Sequence, residues 1–198
     1  SFGNSSANLS NAYILWALAK SGDMAALKTE INALAKRAPD MTDPYEMALA
    51  ANALYLSGQK EPALSLCAKL ATKQATEGHI PGAATSITHS SGDGLVIETT
   101  ALALMAWQSA SKSENEANVL RAINWLSQKR AGGTFGSTQA TILALEAMTQ
   151  FQQANSGKTK EGTLKFGSHG QPVLNLSFPD KAVSRMVGDL KEQDSGLR

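Results

Sequence analysis

The chain has 198 residues, a formal net charge of +1 and a 42% hydrophobic share in which alanine and leucine dominate; these residues lose least on entering a helix, so packed helices are expected over strands. Lys and Arg are spread evenly, which excludes a nucleic-acid footprint or a basic membrane-binding helix as the organising feature. No apolar run approaches the ~20 residues of a bilayer span, the Ser1-Phe2-Gly3-Asn4 start has neither a charged nor an apolar leader region, and one cysteine makes no intrachain disulfide, so the chain as written reads as soluble, its redox compartment left open.

Residues 12–152 carry repeated helical patterns. The first helix, 12–20, ends at Ser21-Gly22, where glycine suits the left-handed position beyond a helix. Asp23 is placed to cap a second helix whose Met24, Leu27, Ile31 and Leu34 recur at spacings of three and four. The clearest start signal is Asp43-Pro44-Tyr45-Glu46, an N-cap, a proline at the first helical position and a reciprocal glutamate. That helix stops at Ser57-Gly58, and Glu61-Pro62 opens its partner, which runs to about Gln74. Ala17-Leu18 before Ser21-Gly22 recurs as Ala53-Leu54 before Ser57-Gly58, an offset of 36 residues, the size of one helix pair. A third pair is read over 96–110 and 113–129, with Ser113 and Glu116 as a capping box, and half of a fourth over 137–152. Between the second and third pairs, 76–94 reads as a loop with a short hairpin at 79–88.

After Gln152 the pattern changes. Asn155-Ser156-Gly157 is a linker signal, and 162–166 and 173–178 alternate apolar with polar residues around the turn Gly167-Ser168-His169-Gly170. Two strands alone are marginal. The division is therefore a helical part over 1–154 and the start of a β segment over 155–198.

Stacked helix pairs can form a superhelix or close into an α/α toroid, and periodicity does not choose. Two strings do. Glu98-Thr99-Thr100-Ala101-Leu102-Ala103-Leu104-Met105-Ala106-Trp107 and Gly132-Gly133-Thr134-Phe135-Gly136-Ser137-Thr138-Gln139-Ala140-Thr141, with Ala122-Ile123-Asn124-Trp125-Leu126 between them, resemble the C-terminal half of the thioester-containing domain of the α2-macroglobulin and complement family. The resemblance implies an α/α toroid of which 12–152 forms about half, a return into a CUB-like domain from about Gly157, and an apolar face where missing helix pairs would pack. It also implies a secreted or periplasmic parent, a broad-range proteinase trap acting in defence whose partners are target proteinases and the other domains of the same chain. The low cysteine use and the string from Gly92 to Thr100 look more like bacterial members. The family's thioester motif, a cysteine with a nearby Glu-Gln, is absent, and the only cysteine is Cys67 in Ser65-Leu66-Cys67-Ala68-Lys69, on an apolar helix face where a buried structural thiol is expected.

Other constellations carry little chemistry. His79, His89 and Asp93 share one loop and, with Cys67, match no zinc spacing. Gly92-Asp93-Gly94 reads as a tight turn, since no Gly-Lys-Ser/Thr follows. Glu98 lacks the second carboxylate of a glycosidase and reads as a first-turn residue favoured by the helix dipole. Trp16, Trp107 and Trp125 read as core, and Ser137-Thr138 as a helix cap. No catalytic, cofactor-binding or metal-ligating residue is assigned, no cofactor, metal or nucleic-acid partner is expected, and the chain is read as a non-enzyme. The alternatives are an α/α-toroid enzyme of terpene cyclase or glycosidase type, which needs an Asp-rich, zinc or paired-acid motif, and a helical-repeat interaction module, which needs an extended concave face.

Overall fold

The computed structural model describes residues 7–22, 27–110, 113–130, 134–155, 162–168 and 171–178. Among them run helices α1 (Ala7–Ser21), α2 (Lys28–Arg37), α3 (Pro44–Leu56), α4 (Lys60–Lys73), α5 (Gly92–Ala110), α6 (Glu116–Lys129) and α7 (Thr138–Asn155), with a 3₁₀ turn at Ala38–Asp40 and strands β1 (Gly162–Ser168) and β2 (Gln171–Phe178). The protein is mainly helical. The chain divides into two compact units, 1–152 and 153–198.

Burial sets α3 and α5 apart from the other helices of the first unit. In α3 every residue from Pro44 to Leu54 except Glu46 is buried, and in α5 all of 97–108 are; helices apolar around their whole circumference must be enclosed. In α2, α4 and α6 only one stripe is buried, for example Ala63, Leu66, Cys67 and Leu70 of α4 at the three-and-four spacing. α3 packs against α1, α4 and α5, and α5 against α6. α7 joins the inner layer through Gln108, whose side-chain amide donates to the Ala147 carbonyl at 3.1 Å, and through Gln150, which donates to Ser109 at 2.8 Å. Lys20 pairs with Glu146, tying α1 to α7. Inner helices α1, α3, α5 and α7, backed by outer helices α2, α4 and α6, give the arrangement of an α/α toroid.

The punctuation follows the residues. Asp43 caps α3, its Oδ1 accepting from the Tyr45 and Glu46 amides at 2.9 and 3.0 Å. Glu46 does not reciprocate, because Arg37 takes its carboxylate at 2.7 Å. At the other end Gly58 has φ +81°, and the Gln59 and Gly58 amides donate to the Leu54 and Tyr55 carbonyls at 2.9 and 3.0 Å, the paired bonds of a Schellman stop. The Asp23 cap and Met24 lie outside the described residues.

Four local expectations are corrected. Gly92-Asp93-Gly94 is the first turn of α5, where the Asp93 carboxylate meets the positive end of the helix dipole. Glu98 is therefore not a first-turn residue; it lies nearly two turns in and is wholly buried. The Ser113–Glu116 capping box does not form, since α6 starts at Glu116 behind Asn115 with no side-chain cap. Residues 79–88 form no hairpin, because their amides are taken by side chains: Ile80 donates to Thr100 Oγ1 at 3.0 Å and Ala84 to Asp43 Oδ2 at 2.8 Å.

On the outside of α1, Ile14 and Leu18 are exposed, and with Leu27 and Leu34 they line a groove of about 320 Å³. In the second unit β1 and β2 pair antiparallel with Leu164 opposite Leu176, and the register shifts between Phe166 and Gly167. The strands are longer than the alternation indicated, reaching Ser168 and starting at Gln171.

Candidate functional site

Among the polar groups buried in the first unit, Ser86, Glu98, Thr99 and Thr100 lie together in the loop before α5 and in its N-terminal half. Most are satisfied by backbone. Thr99 and Thr100 donate to carbonyls one turn back, Leu95 and Val96, at 2.8 and 2.7 Å, and Asn52 donates to Ala48 and Leu102 at 2.8 and 2.9 Å, joining α3 to α5.

Glu98 differs. Its Oε1 accepts from Ser90 at 2.5 Å and from Ser137 at 3.5 Å, so one carboxyl oxygen joins the loop before α5 to the N-cap of α7. Ser137 also holds the Ala140 amide at 3.0 Å, which is the capping role expected of it. Oε2 has no regular hydrogen bond, and neither has the Tyr45 hydroxyl, although Tyr45 lies near enough to feel the carboxylate's charge. The two groups lie against each other in a contact that favours the charged carboxylate and disfavours the charged phenolate. Burial pushes the Glu98 carboxyl above its ordinary range, opposed by hydrogen bonding from Ser90, Ser86, Ser137 and Tyr45. Burial, and next the Glu98 charge, push the Tyr45 phenol up as well.

Around this knot the hydroxyls are chained. Ser86 and Thr88 lie 3.1 Å apart, Thr88 and Ser90 another 3.1 Å, and the Ser90 amide donates to Ser86 Oγ at 3.0 Å. His89 sits between them, exposed and at φ 59°, a left-handed conformation uncommon for a residue with a Cβ.

The remaining candidates are dispersed. His79 stacks on Trp125, ring centroids 5.2 Å apart, while Cys67 is buried on α4 with its backbone carbonyl accepting from Trp107 Nε1 at 3.0 Å. Trp16, Trp107 and Trp125 are all core residues, with Lys20 over Trp16 and Lys129 over Trp125 at 4.8 and 5.2 Å. Among the described residues no group of three or more His, Cys, Asp or Glu side chains could hold a metal ion. Gln59 donates to Asn32 at 3.2 Å, and Gln74 donates to Gly78 and Asn118 at 2.9 and 3.0 Å, so both glutamines nearest Cys67 in sequence are engaged elsewhere.

Both strings that carried the resemblance thus converge on one knot, Glu98 from the first and Ser137 from the second. A family model described as the A-macroglobulin TED domain matches residues 4–151. The chain belongs to this family. Relatives of this TED domain chain include complement C3 of Oncorhynchus mykiss, 31% identical over 118 residues, covering 60% of this chain and 6% of that protein. Complement C3 of Eptatretus burgeri is 39% identical over 103 residues, 52% of this chain and 5% of that protein. For Lethenteron camtschaticum complement C3 the values are 30% over 138 residues, 67% and 8%. The TED domain chain therefore spans less than a tenth of the length of these relatives. No described helix is long and apolar enough to cross a membrane.

What sequence reasoning missed at the knot is Tyr45, Ser86 and Ser90. Tyr45 was absorbed into a helix-start signal. The available signal was Glu98 itself, a lone carboxylate inside the otherwise uncharged apolar run from Leu95 to Trp107.

Proposed function

We propose that this chain is the non-catalytic C-terminal part of the thioester-containing domain of an α2-macroglobulin-like protein of bacterial type, a broad-range proteinase trap that acts in defence outside the cytoplasm. Residues 155–198 would begin its CUB-like segment. The observation that carries the reading is the 3.5 Å meeting of Ser137 with Glu98. The motif residues that an enzyme would use as nucleophile or acid are here a helix cap and a sealed carboxyl. Their placement supports a scaffold that holds the domain in shape while any covalent chemistry is supplied by upstream residues.

The parent protein tests this. Incubated with a proteinase, a trap leaves cleavage of small peptide substrates intact and suppresses cleavage of large proteins. Full retention of activity on large proteins would reject the trap. A second reading, a complement component, is favoured by the name of the relatives, complement C3. It is distinguished in the same assay, because a component that marks surfaces leaves the proteinase unshielded.

A further inference from the structure

We propose that Glu98 is a proton-operated latch: in its neutral form it lets residues 79–91 close over the N-terminal ends of α3, α5 and α7, and on losing its proton it drives that segment open. Three geometric facts support this.

Glu98 is wholly buried, and among the described residues no cation lies within ion-pair distance of it. A charged carboxylate there is faced only by hydroxyls, and its Oε2 has no hydrogen bond of regular geometry, which is a costly state in a low-dielectric site. Next, a continuous path of hydroxyls leads to it. Thr88 is exposed, Ser90 is half-buried, and the steps are 3.1 Å from Thr88 to Ser90 and 2.5 Å from Ser90 to Glu98 Oε1. A proton from hydronium can be taken up at Thr88 while each hydroxyl passes its own proton inward, ending on Oε1; water is left outside, the carboxylate becomes neutral, and only O–H bonds are made and broken. Finally, only one of the elements around Glu98 lacks regular secondary structure. α3, α5 and α7 are continuous helices, whereas the covering segment is irregular backbone, tied to the helical part by Ile80 to Thr100 and Ala84 to Asp43 and seated by the buried Ile80 and Ile87, so its opening is a local event.

The groups facing Glu98 are few. α3 contributes Tyr45, whose phenol is itself influenced by the Ile87 backbone of the segment and by Tyr13 of α1. α7 contributes the uncharged Ser137, and the segment contributes Ser86 and Ser90. His89 is exposed beside Ser90. Asp43 is engaged with the Tyr45, Glu46 and Ala84 amides, so protection of Ala84 reports on Asp43 and not on Glu98.

The test is amide hydrogen exchange of the whole chain across a pH series from about 4 to 8, corrected for intrinsic exchange and read at residues 86–91. For the wild type the corrected protection is expected to fall, by up to tenfold per pH unit, between the carboxyl's titration point in the open segment and its raised one in the closed segment, and to level off above that. In Glu98→Gln it should stay flat, while amides in the middle of α3 are unchanged in both. Ser90→Ala is the second variant: it removes the leading hydrogen bond that favours the charged form in the closed segment, so the fall should continue to higher pH before it levels off. Equal pH profiles for wild type and Glu98→Gln would overturn the latch. So would a fall that levels off at the same pH in Ser90→Ala as in the wild type, or an infrared spectrum showing Glu98 charged at a pH where the segment is fully protected.

Discussion

Gly78 lies so close to Arg121 that a Cβ on it would sit 2.3 Å from the Arg121 carbonyl oxygen. Gly78 also has φ +111°, and its own carbonyl accepts from Gln74, whose amide oxygen in turn accepts from Asn118 and Arg121 at 2.7 and 3.0 Å. The contact seats the start of the long loop on the outer helix α6.

Gly78→Ala should therefore destabilise the first unit. The colliding atom is helix backbone, which cannot swing aside, and the φ is unfavourable for a side chain, so a loss of about 1–3 kcal/mol is expected. Urea denaturation monitored by helical circular dichroism measures it. Gly82→Ala is the control: it too has a positive φ, but an added Cβ meets no atom within 4 Å, so its loss should be the smaller.

A second expectation concerns the contact between α4 and α5. Trp107 is fully buried and its Nε1 donates to the Cys67 carbonyl at 3.0 Å. Trp107→Phe keeps most of the apolar volume and loses the hydrogen bond, which costs on the order of 1–2 kcal/mol. Trp107→Ala adds a cavity and should cost about 3–5 kcal/mol. Equal losses for the two would mean that the hydrogen bond and not packing dominates at this site.

The helix pairs were legible because each boundary is written in a few local residues. Asp43-Pro44 and Ser57-Gly58 do in the structure what their chemistry dictates, and the buried stripe Ala63, Leu66, Cys67, Leu70 follows from spacing alone. The inner layer was legible through α3 and α5, whose apolar residues leave no polar face. The knot at Glu98 was not. Its partners Tyr45, Ser86 and Ser137 come from positions 53, 12 and 39 residues away, and no local pattern records a long-range polar contact. For the same reason the loop was misread as a hairpin, since its amides are bonded to side chains of distant helices, Thr100 and Asp43.

The buried Glu98 also sets a sign for stability against pH. Its folded carboxyl is raised above its unfolded value by burial. The stability it contributes is then fully present below the unfolded pKa, about 4.3, and is lost as pH rises through the folded one. Many other carboxylates titrate in that range, so the quantity to measure is the difference between the wild type and Glu98→Gln in urea at each pH. The wild type should lose ground to the variant as pH rises, by at most about 1.4 kcal/mol per pH unit. A difference independent of pH, or one that grows in favour of the wild type, would contradict the assignment.

The last expectation is chemical. An internal thioester requires a glutamine side chain held against the cysteine thiol, and the two glutamines nearest Cys67 in sequence are held elsewhere. Gln59 and Gln74 stand at opposite ends of α4, each about two turns from Cys67, and their amides are committed to Asn32 and to Gly78 and Asn118. The thiol itself is buried on the inner stripe of the helix, away from any solvent nucleophile. The chain should therefore not couple to amines or proteinases by itself. Intact-mass spectrometry before and after methylamine treatment decides it: the native mass should equal the sequence mass and stay there. A native mass lower by one ammonia, followed by methylamine addition and release of a reactive thiol at Cys67, would show that the helix rearranges to bring a glutamine onto the sulfur.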